Sequence, residues 1–292
     1  MTQPKLYFYH NFPRRPGLNK ERRIERGLEV LDSMARLGFV LTPRVHRYYQ
    51  ILRDGSRGNP VENLETTLCL TCIPKSELKA HSKIFGEFAI EFNATATDEL
   101  GLFPAIYIPP SPVLTAQGTS ITEAMSGLFM KTFADINDVL VYVHEHQPDL
   151  IRFRQENVNF KTLSDNLQGF IRLVTPTGKT NKQLAYYHQN EWRIPSSFKN
   201  YMTNKINTRI ITESEKRELS RISSFFKKGK FTVNGQVCNV RDNCYILQNL
   251  SVDHVLKLSS GVYVPGSAKS RAKDILMRHN LGDVPVKTSP TD

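Results

Sequence analysis

Short apolar runs, each soon closed by proline, glycine or a polar cluster, recur along the whole chain and limit the fold more than any other feature of its sequence. Residues 5–10 read as a first strand, followed by a loop through Pro13, Pro16 and Gly17. Residues 66–73 form a strong strand that Pro74 breaks, 87–92 alternate strictly, and Pro109-Pro110 close a strand over 103–108. Strands over 170–174 and 184–194 follow. Asn234-Gly235 between two apolar runs signals a hairpin, and 255–258 and 262–264 read as late strands. Helices are interleaved. Leu28, Leu31, Met34, Ala35 and Leu37 make a stripe stopped by Gly38, and a short helix from Lys75 or Ser76 to Phe85 is stopped by Gly86. Residues 120–144 carry the most periodic stripe, from Ile121 and Met125 to Leu140 and Val143. Thr212 and Glu215 form a capping box for a helix through Phe226. Ser267 is placed to cap a last basic helix to His279, and the proline-bearing tail from Val284 reads as frayed.

Such a mixture, with no internal repeat and no Gly-rich phosphate loop or dinucleotide fingerprint, predicts an α+β fold of mixed, mostly antiparallel sheets flanked by helices. The reading is one domain over 1–292, with a helical insertion about 111–165 and a basic C-terminal part about 205–280. With 39% hydrophobic residues, 16 Phe and 11 Tyr, there is material for a core. No run is long and apolar enough for a membrane span, and the opening apolar piece is too short for a signal peptide, so the expected place is the cytoplasm, with no membrane partner.

The net charge of +11 favours a polyanionic partner, chiefly nucleic acid, although an acidic protein satisfies the same charge. Arg44 to Tyr49 combine cations with Tyr48 and Tyr49 in a patch able to neutralise and stack on a nucleotide, or equally a basic surface helix or loop with its aromatics tucked inward. Arg44, Arg47, Lys227, Lys228 and Lys230 are the candidate nucleic-acid contacts. The four cysteines argue against a metal: Cys69 and Cys72 are offset by three in a strand, which sends them to opposite faces, and Cys238 and Cys244 have no histidine between them. They read as reduced, partly buried thiols, and no metal is expected. A nuclease lacks an acid cluster, because Asp135, Asp138 and Glu145 lie on a helix that reads as packing.

The stretch 184–194 holds the only tryptophan. As a strand it places Gln189, Glu191 and Arg193 on one face and His188, Trp192 and Ile194 on the other. By pattern alone this is either a surface salt bridge on an edge strand or a functional polar face.

Three segments resemble AbiGi-type abortive-infection proteins of bacteria. They are Phe8-Tyr9-His10-Asn11-Phe12 with a helix and Leu37-Gly38-Phe39; the strand 67–74 with its helix and Phe85 to Phe92; and Asn190-Glu191-Trp192-Arg193. The strand that follows, Phe103 to Tyr107, also fits. That family is in turn similar to DarT-like ADP-ribosyltransferases. The resemblance implies an ADP-ribosyltransferase-like fold and an NAD-dependent toxin of a phage-defence, toxin–antitoxin system that modifies nucleic acid. NAD would be its substrate, and an antitoxin protein its partner. Carried over by residue, Glu191 would be the catalytic acid. Gln189 would orient the nucleophile, where the family's usual acid is absent. His10, Thr71, Tyr48, Tyr49 and Arg193 would bind NAD. A carboxylate on the ribose hydroxyl would stabilise the oxocarbenium-like centre formed when nicotinamide leaves. The alternative from another class is a non-catalytic, DNA-binding antitoxin or repressor of an abortive-infection system.

Overall fold

The structure, a computed structural model, describes residues 5–13, 17–51, 57–108, 171–173, 190–196, 199–200, 205–206, 208–247 and 254–291. The expected helix over 120–144 and the first part of the expected strand over 184–194 lie outside these residues.

The described strands, in chain order, are β1 (Leu6–Phe12), β2 (Phe39–Ile51), β3 (Arg57–Pro74), β4 (Phe88–Phe92), β5 (Phe103–Pro104), β6 (Ile106–Ile108), β7 (Ile171–Leu173), β8 (Glu191–Pro195), β9 (Lys199–Asn200), β10 (Lys205–Ile206), β11 (Thr208–Ile210), β12 (Lys230–Val233), β13 (Gln236–Asn239), β14 (Tyr245–Leu247), β15 (Ser259–Val264) and β16 (Val286–Thr288). Ten of them build one sheet in the order β11-β14-β2-β3-β1-β4-β15-β16, with β8 also on β3 and β5 beyond it. Pairing is antiparallel except for β15 with β16 in this sheet and β6 with β7 outside it. The class is therefore α+β with a mostly antiparallel sheet, as the short punctuated runs require.

The long strand β3 organises the sheet. Thr67 pairs with both Thr42 of β2 and Pro195 of β8, and Thr71 with both Tyr9 of β1 and Glu191 of β8. Because β8 runs unbroken along residues 67–71, β2 and β1 must share the opposite edge of β3, one after the other. Between their ladders, the Cys69 carbonyl is left without a strand partner, and His10 Nδ1 lies 3.0 Å from it. A side chain thus closes the gap where the backbone ladder changes strand.

One face of the sheet is an apolar core. Phe8, Leu70, Phe88, Ile90 and Val262 meet Leu28 and Leu31 of α1 (Lys20–Leu37), and Ala272 and Leu276 of the last helix. Each fully buried Leu, Phe or Val contributes about 1.5–3 kcal/mol. Helix α1 starts at Asn19, whose side chain accepts from the Arg22 amide, and ends at Gly38 with φ 88°, a conformation that resists a side chain. The other face carries α2 (Leu78–Phe85) over one end, and α4 (Glu213–Ile222) and α5 (Ser224–Lys227) over the other; α3 (Ala96–Leu100) is a short turn before β5.

Several expectations are corrected. Residues 44–49 lie in β2 and form neither a helix nor a loop. The strand over 103–108 divides at Ala105, whose amide donates to the Glu191 carbonyl. The capping box at Thr212 is present, but the helix stops at Ser223, which caps α5. Val255–Leu258 is a 3-10 turn, started by the His254 ring accepting from the Leu256 amide. Ser267 lies inside the 3-10 turn Gly266–Ala268, and α6 (Lys269–Arg278) has no side-chain cap. The tail is held: Val286–Thr288 pairs with β15, and the Ser289 amide donates to the Val264 carbonyl. Among the described residues, no helix is long and apolar enough to cross a membrane.

Candidate functional site

On β8, Glu191 and Arg193 are on one face and Trp192 and Ile194 on the other, as the alternation predicts. Trp192 packs edge-on to Phe8 at 5.1 Å and Ile194 enters the apolar core. The polar face does not meet water. Arg193 is 0% exposed, and Glu191 and Glu65 are 6% and 5% exposed. Arg193 Nε donates to Glu191 Oε1 at 3.0 Å and its Nη1 to Glu65 Oε1 at 2.6 Å; the Thr67 hydroxyl donates to the same Glu65 oxygen at 2.8 Å. Burial alone lowers the pKa of the Arg193 guanidinium, but the carboxylates of Glu65 and Glu191 hold it above its ordinary value. Burial, with Glu191 adding to it, pushes the Cys69 thiol up, so Cys69 stays protonated and is a poor nucleophile.

The register extends this site across the sheet. Glu191 pairs with Thr71, Thr71 with Tyr9, and Tyr9 with Glu91 of β4, so the four residues make one cross-strand row on one face. Its far end is a second buried acid. Glu91, 2% exposed, accepts from the Tyr9 hydroxyl (2.8 Å), the Tyr263 hydroxyl (3.1 Å), the Ser260 hydroxyl (2.9 Å) and the Lys287 ammonium (2.6 Å). Burial alone would raise the Glu91 pKa, but the bonds from Lys287, Tyr9 and Ser260 hold it below the usual carboxylate range. Burial and Glu91 raise both tyrosines, so each hydroxyl keeps its proton. Sequence reasoning passed over this network. The one available signal was a lone acid between Ile90 and Phe92 in an otherwise apolar run.

The other candidates fall elsewhere. Thr71 is buried beside Glu191. His10 pairs with Ile90, against Phe12 and Phe39, and so faces the apolar core on the side of the sheet opposite Thr71 and Glu191. Gln189 lies outside the described residues, and of Arg47, Tyr48 and Tyr49 only the backbone is described. Arg44 is exposed in β2, opposite Glu65. Lys227, Lys228 and Lys230 are exposed around the turn at Gly229, away from the row. Cys72 belongs to the apolar core and Cys69 to the charged face, as their offset predicts. Among the described residues, no group of three or more His, Cys, Asp or Glu could hold a metal ion.

The arrangement can fix a sheet by ion pairs and hydrogen bonds. Residues 61–231 match the model of a family described as "Putative abortive phage resistance protein AbiGi, antitoxin". No curated protein and no solved structure matches the chain. The antitoxin description overturns the expectation of an ADP-ribosyltransferase toxin and agrees with the alternative reading instead; the match does not extend to DarT-like enzymes. It also reverses the expected partner, from an antitoxin to a toxin. Because the matched segment is more than half of the 292 residues, the chain belongs to the AbiGi family of abortive-infection, toxin–antitoxin proteins.

Proposed function

We propose that this protein is the non-catalytic antitoxin of an abortive-infection system and that it neutralises a toxin protein by binding it. The observation that carries this reading is the match of residues 61–231 to an antitoxin family. The geometry supports it. Glu191, the residue expected to act as an acid, is closed against Arg193 in a buried cluster with Glu65, where its role is to hold β8 to β3. Co-expression of the tagged chain with the toxin of its own system tests the reading. The two are expected to purify together in a fixed ratio, and a toxin recovered entirely free of the chain contradicts it.

A second reading, repression by binding DNA, is favoured by the net charge of +11. It requires a promoter duplex to be held at about 0.15 M salt, with an affinity that falls steeply as salt rises and well above that for random duplex.

A further inference from the structure

Between Thr208 and Leu247 the chain carries eight Lys and Arg against four acids. All four acids are engaged. Glu215 meets Arg209 at 2.6 Å, Asp242 meets Arg241 at 2.7 Å, Glu218 pairs with Arg36, and Glu213 lies 3.9 Å from Lys216 and 3.8 Å from Arg241. The bond from Arg209 holds Glu215 down at about 2, so this acid stays charged. Five cations remain: Arg217, Arg221, Lys227, Lys228 and Lys230 are all exposed and make no ion pair among the described residues. Arg217 and Arg221, four apart on α4, share a helix face. Lys227 ends α5 and Gly229 turns the chain into Lys230, with the Lys216 ammonium 4.0 Å from where a Gly229 side chain would begin. Val237, 67% exposed, stands beside them on the hairpin, since the register puts Lys230, Asn239, Thr232 and Val237 on one face. Unneutralised cations around an exposed apolar side chain make a surface for an anionic partner with some apolar area.

One feature favours a protein partner over a duplex. The hairpin tip is not a free wing. Asn234 Oδ1 accepts from the Glu62 amide (2.7 Å), its amide donates to Glu62 Oε2 (2.9 Å), and its Nδ2 donates to the Glu62 carbonyl (2.6 Å), which pins the tip to β3.

We infer that the face built by α4, the Gly229 turn and the outer side of the β12–β13 hairpin docks an acidic, partly apolar surface of the toxin. The inference rests on the antitoxin reading and names the surface that carries it. The test measures binding of the separately purified toxin to four full-length proteins: the wild type; Arg217→Glu, Lys227→Glu, Lys228→Glu, Lys230→Glu combined; a control with Lys20→Glu, Lys79→Glu, Lys83→Glu, Lys273→Glu; and the single variant Val237→Glu. The control removes the same net charge from exposed sites elsewhere. Wild type and control are expected to bind alike, and the combined variant at least about tenfold more weakly. Val237→Glu is expected to weaken binding too and serves if the combined variant does not fold. Unchanged binding by folded face variants overturns this inference and leaves the antitoxin reading standing; no binding by wild type overturns both. If the face variants lose a random-sequence DNA duplex but keep the toxin, the face is a nucleic-acid surface and the inference is wrong.

Discussion

Glu91 and Glu191 stand at the two ends of one cross-strand row, separated by Tyr9 and Thr71 and hence by about 14 Å at ordinary strand spacing. Both are buried, and they are satisfied differently. Glu191 belongs to an ion cluster around a fully buried guanidinium, whereas Glu91 is held mainly by neutral hydroxyls and a single partly exposed ammonium. A buried ion cluster is costly to assemble and collapses if its cation is lost. A carboxylate ringed by hydroxyl donors loses its partners one at a time. Glu191 stands out in the sequence only through the resemblance that it carries with its chain neighbours Asn190, Trp192 and Arg193. Glu91 looks like nothing because its partners lie 82 to 196 residues away.

The comparison breaks most sharply at Arg193. Arg193→Ala leaves Glu65 and Glu191 buried without the guanidinium between them, and a loss of about 3–5 kcal/mol is expected in urea unfolding. A loss under 1 kcal/mol, the scale of an exposed pair, would mean that the cluster is open to water. Glu91→Ala comes next, at about 2–3 kcal/mol, because the Tyr9, Tyr263 and Ser260 hydroxyls lose a shared acceptor inside the fold. Lys287→Met is smaller, below about 1 kcal/mol, since this ammonium is one-third exposed and its removal leaves three donors on Glu91.

Acid sharpens the same contrast. The folded-state pKa of Glu91 is depressed, so its contribution is complete above the unfolded carboxyl value of 4.5 and is lost as pH falls through the lower folded value. Melting temperatures measured down this range are expected to fall less steeply for Glu91→Gln than for wild type. Parallel curves would show that Glu91 has no part in the acid limb.

What the sequence made legible is what adjacent residues decide. Pro74 ends β3, Gly38 ends α1, Thr212 and Glu215 build a capping box, and Asn234-Gly235, both at positive φ, turn the hairpin. The faces of β8 were also legible, because alternation needs no distant partner. What failed was set by distant contacts. The tail reads as frayed by its prolines, yet Val286 pairs with Val262 and Lys287 reaches Glu91. Val255 to Leu258 are apolar enough for a strand but turn tightly into the core. That Thr71 lies beside Glu191 while His10 points to the opposite face is a consequence of register that no single strand displays.

Growth of cells carrying this chain, its toxin or both is the most direct measure of the central claim that the protein is an antitoxin. The account predicts that the chain alone leaves growth unchanged and that its co-expression restores growth arrested by the toxin. Arrest by the chain alone, relieved by its presumed toxin or by Glu191→Gln in a protein of unchanged melting temperature, would contradict it.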